Sequence, residues 1–202
     1  MRPPGRRDVS AESDPIDLLR RWIDDAADAG IAEPAAMCLA TADAAGRPSA
    51  RFVLARGIDR GGVRFFTSYL SRKGCELAQN PRAAAVFYWA PLARQVRLEG
   101  TVEILSEEES DAYFAARPRG HQIAAWASEQ SEPVESRELL DDRYAHFEER
   151  LAEEPVARPH SWGGYVVKPE RLEFWESRPN RMHDRFEFVL TGGAWELRRL
   201  QP

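Results

Sequence analysis

Residues 51–73 read RFVLARGIDRGGVRFFTSYLSRK, and this stretch decides the fold. It predicts two strands, 49–56 and 63–67, on either side of the turn-rich Gly57-Ile58-Asp59-Arg60-Gly61-Gly62. After the second run, Thr67-Ser68-Tyr69-Leu70-Ser71-Arg72-Lys73 leads into a helical segment to Asn80, with Ser71 as its cap. Hydroxyls, two adjacent cations and a helix N-terminus within one turn suit an anion. The free backbone N–H groups and the helix dipole both favour a phosphate there. A solvated loop before a capped helix fits the same letters, so the rest of the chain carries the decision.

Upstream, residues 1–13 are polar, carry Pro and Gly, and predict a flexible tail. Asp14-Pro15 opens a helix with Ile16, Leu19, Ile23 and Ala26/Ala27 at helical spacing, and Gly30 closes it. Residues 36–42 read as a strand, and Asp43-Ala44-Ala45-Gly46-Arg47-Pro48 turns into the strand that starts at Ser49. Downstream, 83–89 and 95–105 are strands, the second alternating through Val96, Leu98, Val102 and Ile104. Ser106-Glu107-Glu108-Glu109 fits a capping box and starts a helix to about Ala116, ended by Arg117-Pro118-Arg119. A short helix over 121–128 and a longer one over 136–153 follow, the latter with Leu139, Leu140, Tyr144, Phe147 and Leu151 on one face. The chain closes with strands at 163–168, 171–176, 185–190 and 194–200, the last two joined by a hairpin turn at Thr191-Gly192-Gly193. These short strands with helices between them predict one domain over 14–202. Its fold is mainly β with peripheral helices, a closed or nearly closed antiparallel barrel.

Composition narrows the function. The chain has 202 residues, 43% of them hydrophobic and 30% charged, as in an ordinary globular protein. A net charge of −5 argues against a nucleic-acid partner, and Arg2, Arg6 and Arg7 make only a short basic tail. No apolar run approaches a membrane span, and the N-terminus lacks a signal-peptide core. Two cysteines, Cys38 and Cys75, read as reduced thiols of a cytoplasmic protein. His121, His146, His160 and His183 show no metal-ligand spacing, and no G-x-S-x-G, P-loop or G-x-G-x-x-G occurs. Positioned arginines and aromatics remain. On an extended segment Arg181, His183 and Arg185 share one face, so two cations and a titratable ring aim at one place; an exposed polar edge strand fits equally. Trp175 suits an aromatic wall or a plain core position. Tyr113 and Arg117, four apart, share a helix face that can equally be solvated, and Gln130-Ser131 alone is a loop.

Taken together, these residues resemble the pyridoxine/pyridoxamine 5'-phosphate oxidase family over nearly the whole chain from Asp14. The matching blocks are Arg51-Phe52-Val53-Leu54, Ser71-Arg72-Lys73, Arg94-Gln95-Val96, Tyr113-Phe114 with Arg117-Pro118-Arg119, and Trp126 with Gln130-Ser131. Trp162-Gly163-Gly164, Glu173-Phe174-Trp175, Arg181-Met182-His183-Asp184-Arg185-Phe186 and the C-terminal Arg198-Arg199-Leu200-Gln201-Pro202 complete the set. The resemblance implies an FMN-binding split barrel that works as a homodimer with two sites between the subunits. It assigns FMN to Arg51, Phe52, Val53, Leu54, Phe66, Thr67, Ser71, Arg72, Lys73 and Gln95 of one subunit. Gln130, Ser131, Trp175 and Arg185 complete the site, some of them from the partner. It gives the substrate phosphate to Tyr113 and Arg117, with Arg56 and His121 beside them, and the substrate ring to Arg181 and His183.

Three departures fall on the substrate side. Arg56 stands where the family usually has lysine, and His121 stands where it often has serine. The N-terminal segment is short and lacks the Arg and Tyr that close over substrate in longer members. The activity implied is oxidation of pyridoxine or pyridoxamine 5'-phosphate to pyridoxal 5'-phosphate, with molecular oxygen as acceptor and hydrogen peroxide released. The alternatives are FMN-dependent oxidation of another aromatic, as in phenazine biosynthesis, and a non-catalytic flavin or pyridoxal-phosphate carrier.

Overall fold

The computed structural model describes Val9, residues 14–152 and residues 155–202. Of the tail expected at 1–13, only Val9 is described; it packs partly buried against the main core, and the rest, with Arg2, Arg6 and Arg7, lies outside the described residues. Helix α1 (Pro15–Asp28) starts where expected. The Asp14 carboxylate accepts from the backbone N–H of Ile16 at 2.8 Å, and Pro15 takes the first turn. Its buried face is Ile16, Leu18, Leu19, Trp22 and Ala26. Trp22, absent from the expected stripe, holds the centre of that face, edge-on to Phe174 at 5.2 Å and to Trp89 at 6.4 Å.

Among the described residues, nine strands form one antiparallel sheet: β1 (Ala36–Ala42), β2 (Pro48–Leu54), β3 (Gly57–Asp59), β4 (Gly62–Ser68), β5 (Arg82–Trp89), β6 (Arg94–Ile104), β7 (Trp162–Glu176), β8 (Asp184–Thr191) and β9 (Ala194–Arg199). The order is β2-β1-β5-β6-β7-β4-β3, with β8 on β7 and β9 on β8. The sheet curls over Met37, Leu39, Phe65, Phe87, Val96, Leu98, Leu172, Phe174 and Phe188, all at most 1% exposed. Its two end strands, β2 and β3, stay unpaired with each other, so the barrel is nearly closed rather than closed.

Two expectations change. The turn at 57–62 contains the short strand β3, paired with β4. The strands expected at 163–168 and 171–176 are one strand, β7. Pro169 breaks the sequence pattern but not the strand, because the register of β6 shifts between Glu99 and Gly100 opposite it. A Cβ on Gly100 would meet the Lys168 carbonyl oxygen at 2.0 Å, so that close approach requires glycine.

The strand β7 is shared lengthwise. Its first part pairs with β4 (Thr67↔Gly163) and its last part with β8 (Trp175↔Arg185). Helix α2 (Arg72–Gln79) follows β4, capped by Ser71 as expected. Between β6 and β7 lie α3 (Glu107–Ala115), with its capping box, α4 (Arg119–Ala127) and α5 (Arg137–Arg150). They enclose a second core of Phe114, Ile123, Val156 and Trp162, against which Phe66, Tyr113, Tyr144, Phe147 and Leu151 pack.

Candidate active site

The corner of β4 and α2 holds the densest polar cluster. Lys73, only 6% exposed, turns inward rather than toward solvent. Its Nζ donates to Thr67 Oγ1 at 2.9 Å, to Ser71 Oγ at 3.1 Å and to Gln130 Oε1 at 3.2 Å. Thr67 Oγ1 in turn donates to Gln130 Oε1 at 2.7 Å. Burial, helped by the nearby Arg51 charge and opposed by Glu76, pulls the Lys73 ammonium down to about 8. Ser71 is fully buried and accepts from Gly74 N–H as the helix cap, so its hydroxyl builds the corner.

Arg72 points the other way and meets a second network. Its Nε donates to Glu76 Oε1 at 2.9 Å. Glu76, 5% exposed, also accepts from Ser49 Oγ at 2.8 Å and 2.6 Å, and from the Thr41 hydroxyl. Arg51 closes the ring: Nη1 donates to Thr41 Oγ1 at 2.6 Å, and Nη2 donates to Ser49 Oγ and lies 3.4 Å from Glu76 Oε2. Burial works against ionising Glu76, but the Ser49, Thr41 and Arg72 hydrogen bonds and the Arg51 charge outweigh it and hold the carboxyl at about 2. Arg51, Arg72 and Lys73 against one carboxylate leave this corner with two positive charges when all are ionised. That surplus matches a dianionic phosphate monoester, so the residues present fit the phosphate of FMN.

An aromatic stack is built on the residue before Thr67. Phe66, next to Thr67 on β4, lies parallel to Tyr113 at 3.7 Å and to Trp162 at 5.7 Å. A Cβ on Gly164 would approach the Phe66 ring at 2.7 Å, which is why glycine follows Gly163 here. Arg117 lies over Trp162 at 4.5 Å and over Phe114 at 5.5 Å. Its Nη1 is buried and, among the described residues, has no hydrogen-bond partner. Burial lowers the Arg117 pKa, Tyr113 opposes, and the Arg56 charge lowers it further, so Arg56 faces the same place. An orphaned guanidinium N–H beside a second cation is the state expected of an anion site. The structure corrects one detail: Tyr113 and Arg117 do not share a helix face. Helix α3 stops at Ala115, and Arg117 sits in the turn before Pro118, which cannot donate to a continuing helix. Trp162 and Phe66 bring the two together instead.

The remaining expected residues gather elsewhere. Gln95, Trp175 and Arg185 lie in one row across β6, β7 and β8. Arg185 Nε donates to the buried Glu173 at 2.6 Å, and Nη1 to the Gln201 carbonyl at 3.0 Å. The His183 ring lies 4.7 Å from that of Trp175, and its Nδ1 accepts from the Arg178 backbone N–H at 3.2 Å. Arg178 is itself held by Asp184. The same-face argument for Arg181, His183 and Arg185 is overturned. Strand β8 begins at Asp184, and Arg181 sits in the 3-10 turn Pro179–Arg181 with a left-handed φ of 61°. Asn180, at φ 58°, shares that backbone strain.

Thr67 pairs with Gly163 and Arg185 with Trp175, twelve residues farther along β7 (175 − 163). At roughly 3.3 Å per residue that is about 40 Å of strand, too long for one mononucleotide to touch both ends. Gln130 belongs to the Lys73 end of the chain. Ser131 is exposed, at φ 77°. Phe52 on β2 is 77% exposed, Val53 and Leu54 are half-buried, and His121 is exposed on the first turn of α4. Four participants escaped the sequence reading: Thr41, Ser49, Glu76 and the platform role of Trp162. The i, i+4 spacing of Arg72 and Glu76, and the shared strand face of Ser49 and Arg51, were available signals.

Comparison with known proteins gives a consistent result. A family model described as pyridoxamine 5'-phosphate oxidase matches residues 23–150, and one described as the pyridoxine 5'-phosphate oxidase C-terminal dimerisation region matches 162–202. A pyridoxine/pyridoxamine 5'-phosphate oxidase of Rubrobacter xylanophilus is 55% identical, over 98% of this chain and 91% of its own. The enzyme of the same name from Paraburkholderia phymatum is 54% identical, over 98% of this chain and 94% of its own. Among solved structures, PhzG from Burkholderia lata in complex with tetrahydrophenazine-1-carboxylic acid superposes with a TM-score of 0.89 at 35% identity, covering 96% of this chain and 95% of that one. A pyridoxamine 5'-phosphate oxidase-related, FMN-binding protein of Nostoc punctiforme gives 0.73 at 16% identity, over 96% and 100%, which shows the split-barrel fold.

Proposed function

The chain belongs to the pyridoxine/pyridoxamine 5'-phosphate oxidase family, and on that premise we propose that it oxidises pyridoxine or pyridoxamine 5'-phosphate to pyridoxal 5'-phosphate at a site built from two subunits. A bound FMN would supply the redox chemistry, a two-electron acceptor for the substrate that molecular oxygen restores with release of hydrogen peroxide. The single observation that carries the reading is that one chain holds two separate cationic sites, the doubly positive Lys73 corner and the orphaned Arg117 Nη1 over Trp162.

Arg51, Arg72 and Lys73 bind the cofactor phosphate, with Thr67, Ser71 and Gln130 fixing Lys73. Phe52, Val53 and Leu54 carry the backbone of β2 along the flavin. Arg117, held flat on Trp162, takes the substrate phosphate with Tyr113, Arg56 and His121. Gln95, expected with the Lys73 subunit, shares the row of Trp175 and Arg185, so these three close the site from the second subunit, together with Arg181 and His183. His183 Nδ1 already accepts a backbone N–H, so a neutral ring carries its proton on Nε2 and donates toward the substrate. Ser131 keeps its place in the cofactor loop by its neighbour Gln130.

The length of β7 and the match of 162–202 to a dimerisation region support the homodimer. Among the described residues no helix is long and apolar enough to cross a membrane, and both cysteines are free, which supports a cytoplasmic protein. A second reading, oxidation of a larger aromatic, draws on the PhzG likeness and on Arg56 and His121. The more similar relatives, at 54–55% identity, favour the vitamer.

Mixing subunits tests the shared site. At FMN concentrations that fill wild type but not the weakened sites, Lys73→Met and Arg185→Ala homodimers both lack activity with either vitamer under this proposal. Co-expressed, they form heterodimers with one intact site each, so activity returns to about a quarter of wild type when subunits pair at random. No recovery in demonstrated heterodimers defeats the two-subunit site. No oxygen uptake by wild type with either phosphorylated vitamer defeats the substrate.

A further inference from the structure

We infer that Glu76 is a positioning residue for the cofactor phosphate: its buried carboxylate holds the Arg51 and Arg72 guanidinium groups in the orientation that binds FMN. The inference rests on the FMN reading above and extends it to a residue of the opposite charge. A carboxylate beside an anion site is, on charge alone, a liability. Here it is 95% removed from solvent and joined to four groups. Arg72 Nε reaches Oε1 at 2.9 Å, and Arg51 Nη2 lies 3.4 Å from Oε2. Ser49 Oγ bridges both oxygens at 2.8 Å and 2.6 Å. Thr41 donates to Oε2 and accepts from Arg51 Nη1 at 2.6 Å.

These contacts tie three elements together at one point. Thr41 comes from β1, Ser49 and Arg51 from β2, and Arg72 and Glu76 from α2. Arg72 is 65% exposed on its side chain, so without Glu76 nothing among these contacts fixes its long, flexible stem. Arg72 spends only Nε on Glu76 and keeps its Nη groups for a ligand, while Arg51 spends both Nη groups on Leu39, Thr41, Ser49 and Glu76 and offers its Nε edge. Preorganised donors bind an anion more tightly than free ones because the ordering cost is met before binding. The one carboxylate also sets the surplus charge of the corner at two rather than three.

The test uses apoprotein and two probes, FMN and riboflavin, which differ by the phosphate. Flavin fluorescence quenching gives both dissociation constants, and their ratio reports the phosphate site alone. Glu76→Gln keeps shape and removes charge. Simple charge counting says that FMN then binds more tightly. The positioning role says the opposite: the riboflavin-to-FMN ratio falls by about tenfold or more, with riboflavin affinity unchanged. A ratio that stays or rises overturns the inference. If Glu76→Gln does not fold, Thr41→Val keeps the carboxylate and removes one link, and a fall of about fivefold in the same ratio is expected. An unchanged ratio there overturns it equally. A wild-type protein with no preference for FMN over riboflavin defeats the cofactor reading itself, and the inference with it.

Discussion

Lys73→Met separates what the buried lysine does for the cofactor from what it costs the empty protein. The ammonium is drawn from 10.5 to about 8, chiefly by burial. A displacement of that size corresponds to about 3 kcal/mol between charged and neutral forms. For a cation with a lowered folded-state pKa, the unfolded chain binds more protons between about 8 and 10.5, so the empty protein gains stability as pH rises through that window. Below about 8 the penalty is fully present. Methionine removes the penalty but also three hydrogen bonds, each worth about 1 kcal/mol. At neutral pH the two effects nearly cancel, and the empty variant matches wild type within ~1 kcal/mol. Going from pH ~7 to ~10, wild type gains about 2 kcal/mol over the variant. FMN affinity of the variant falls by roughly 10- to 100-fold, the loss of one charge-assisted hydrogen bond. Wild-type FMN affinity itself declines above pH ~8 as Lys73 loses its proton. Urea titrations of apoprotein at fixed subunit concentration, and fluorescence titrations with FMN, measure all three. A stability difference flat in pH, or unchanged FMN affinity, refutes the reasoning.

Arg117→Ala should raise KM for the phosphorylated vitamers by about 10- to 100-fold through loss of a charge-assisted contact, with FMN affinity unchanged; steady-state kinetics beside a flavin titration decide it. Arg181→Ala and His183→Ala should lower turnover while melting temperature and flavin content stay near wild type, since neither side chain is buried; loss of flavin in either places them in the fold instead. Arg56→Lys combined with His121→Ser should preserve or improve oxidation of pyridoxine 5'-phosphate, because arginine and lysine both supply the charge; a wild type inactive on both vitamers that gains activity sharply in this variant points to a different natural substrate. Glu76 contributes stability that is present above the ordinary carboxylate pKa of 4.5 and is lost as pH falls toward about 2; acid titration of Glu76→Gln should therefore show a shallower loss in that window than wild type.

Much of this fold was legible because local rules and global packing agree. Asp14-Pro15, Ser71, Ser106 and Ser136 each cap the helix that their letters announce. The misreadings arose where a long-range partner overrides a local cue. Pro169 splits the pattern of β7, but a bulge in β6 absorbs it. Asn180 and Arg181 take left-handed backbone that no periodicity encodes. The site was legible by block but not by contact. Arg72 and Lys73, adjacent in the sequence, are held by different networks, Lys73 by Thr67 and Gln130 and Arg72 by Glu76. Which cation turns inward depends on residues 57 positions away, beyond the reach of spacing arguments.

The sharing of β7 between β4 and β8 also orders the birth of the protein. The β1–β2, β3–β4, β5–β6 and β8–β9 pairs close over short turns and can zip while the chain is still open. The β4–β7 pairing joins Phe66 to Gly164, 98 residues apart (164 − 66), and so must wait for four helices to be made and placed. The Lys73 corner, which needs Thr67 on β4 and Gln130 after α4, is therefore among the last parts to set. Pulse-labelled hydrogen exchange during refolding should find amides of β5 and β6 protected before those of β4. A phosphate ligand that reads this corner then recognises only chains that have finished folding, and its arrival marks a subunit as complete.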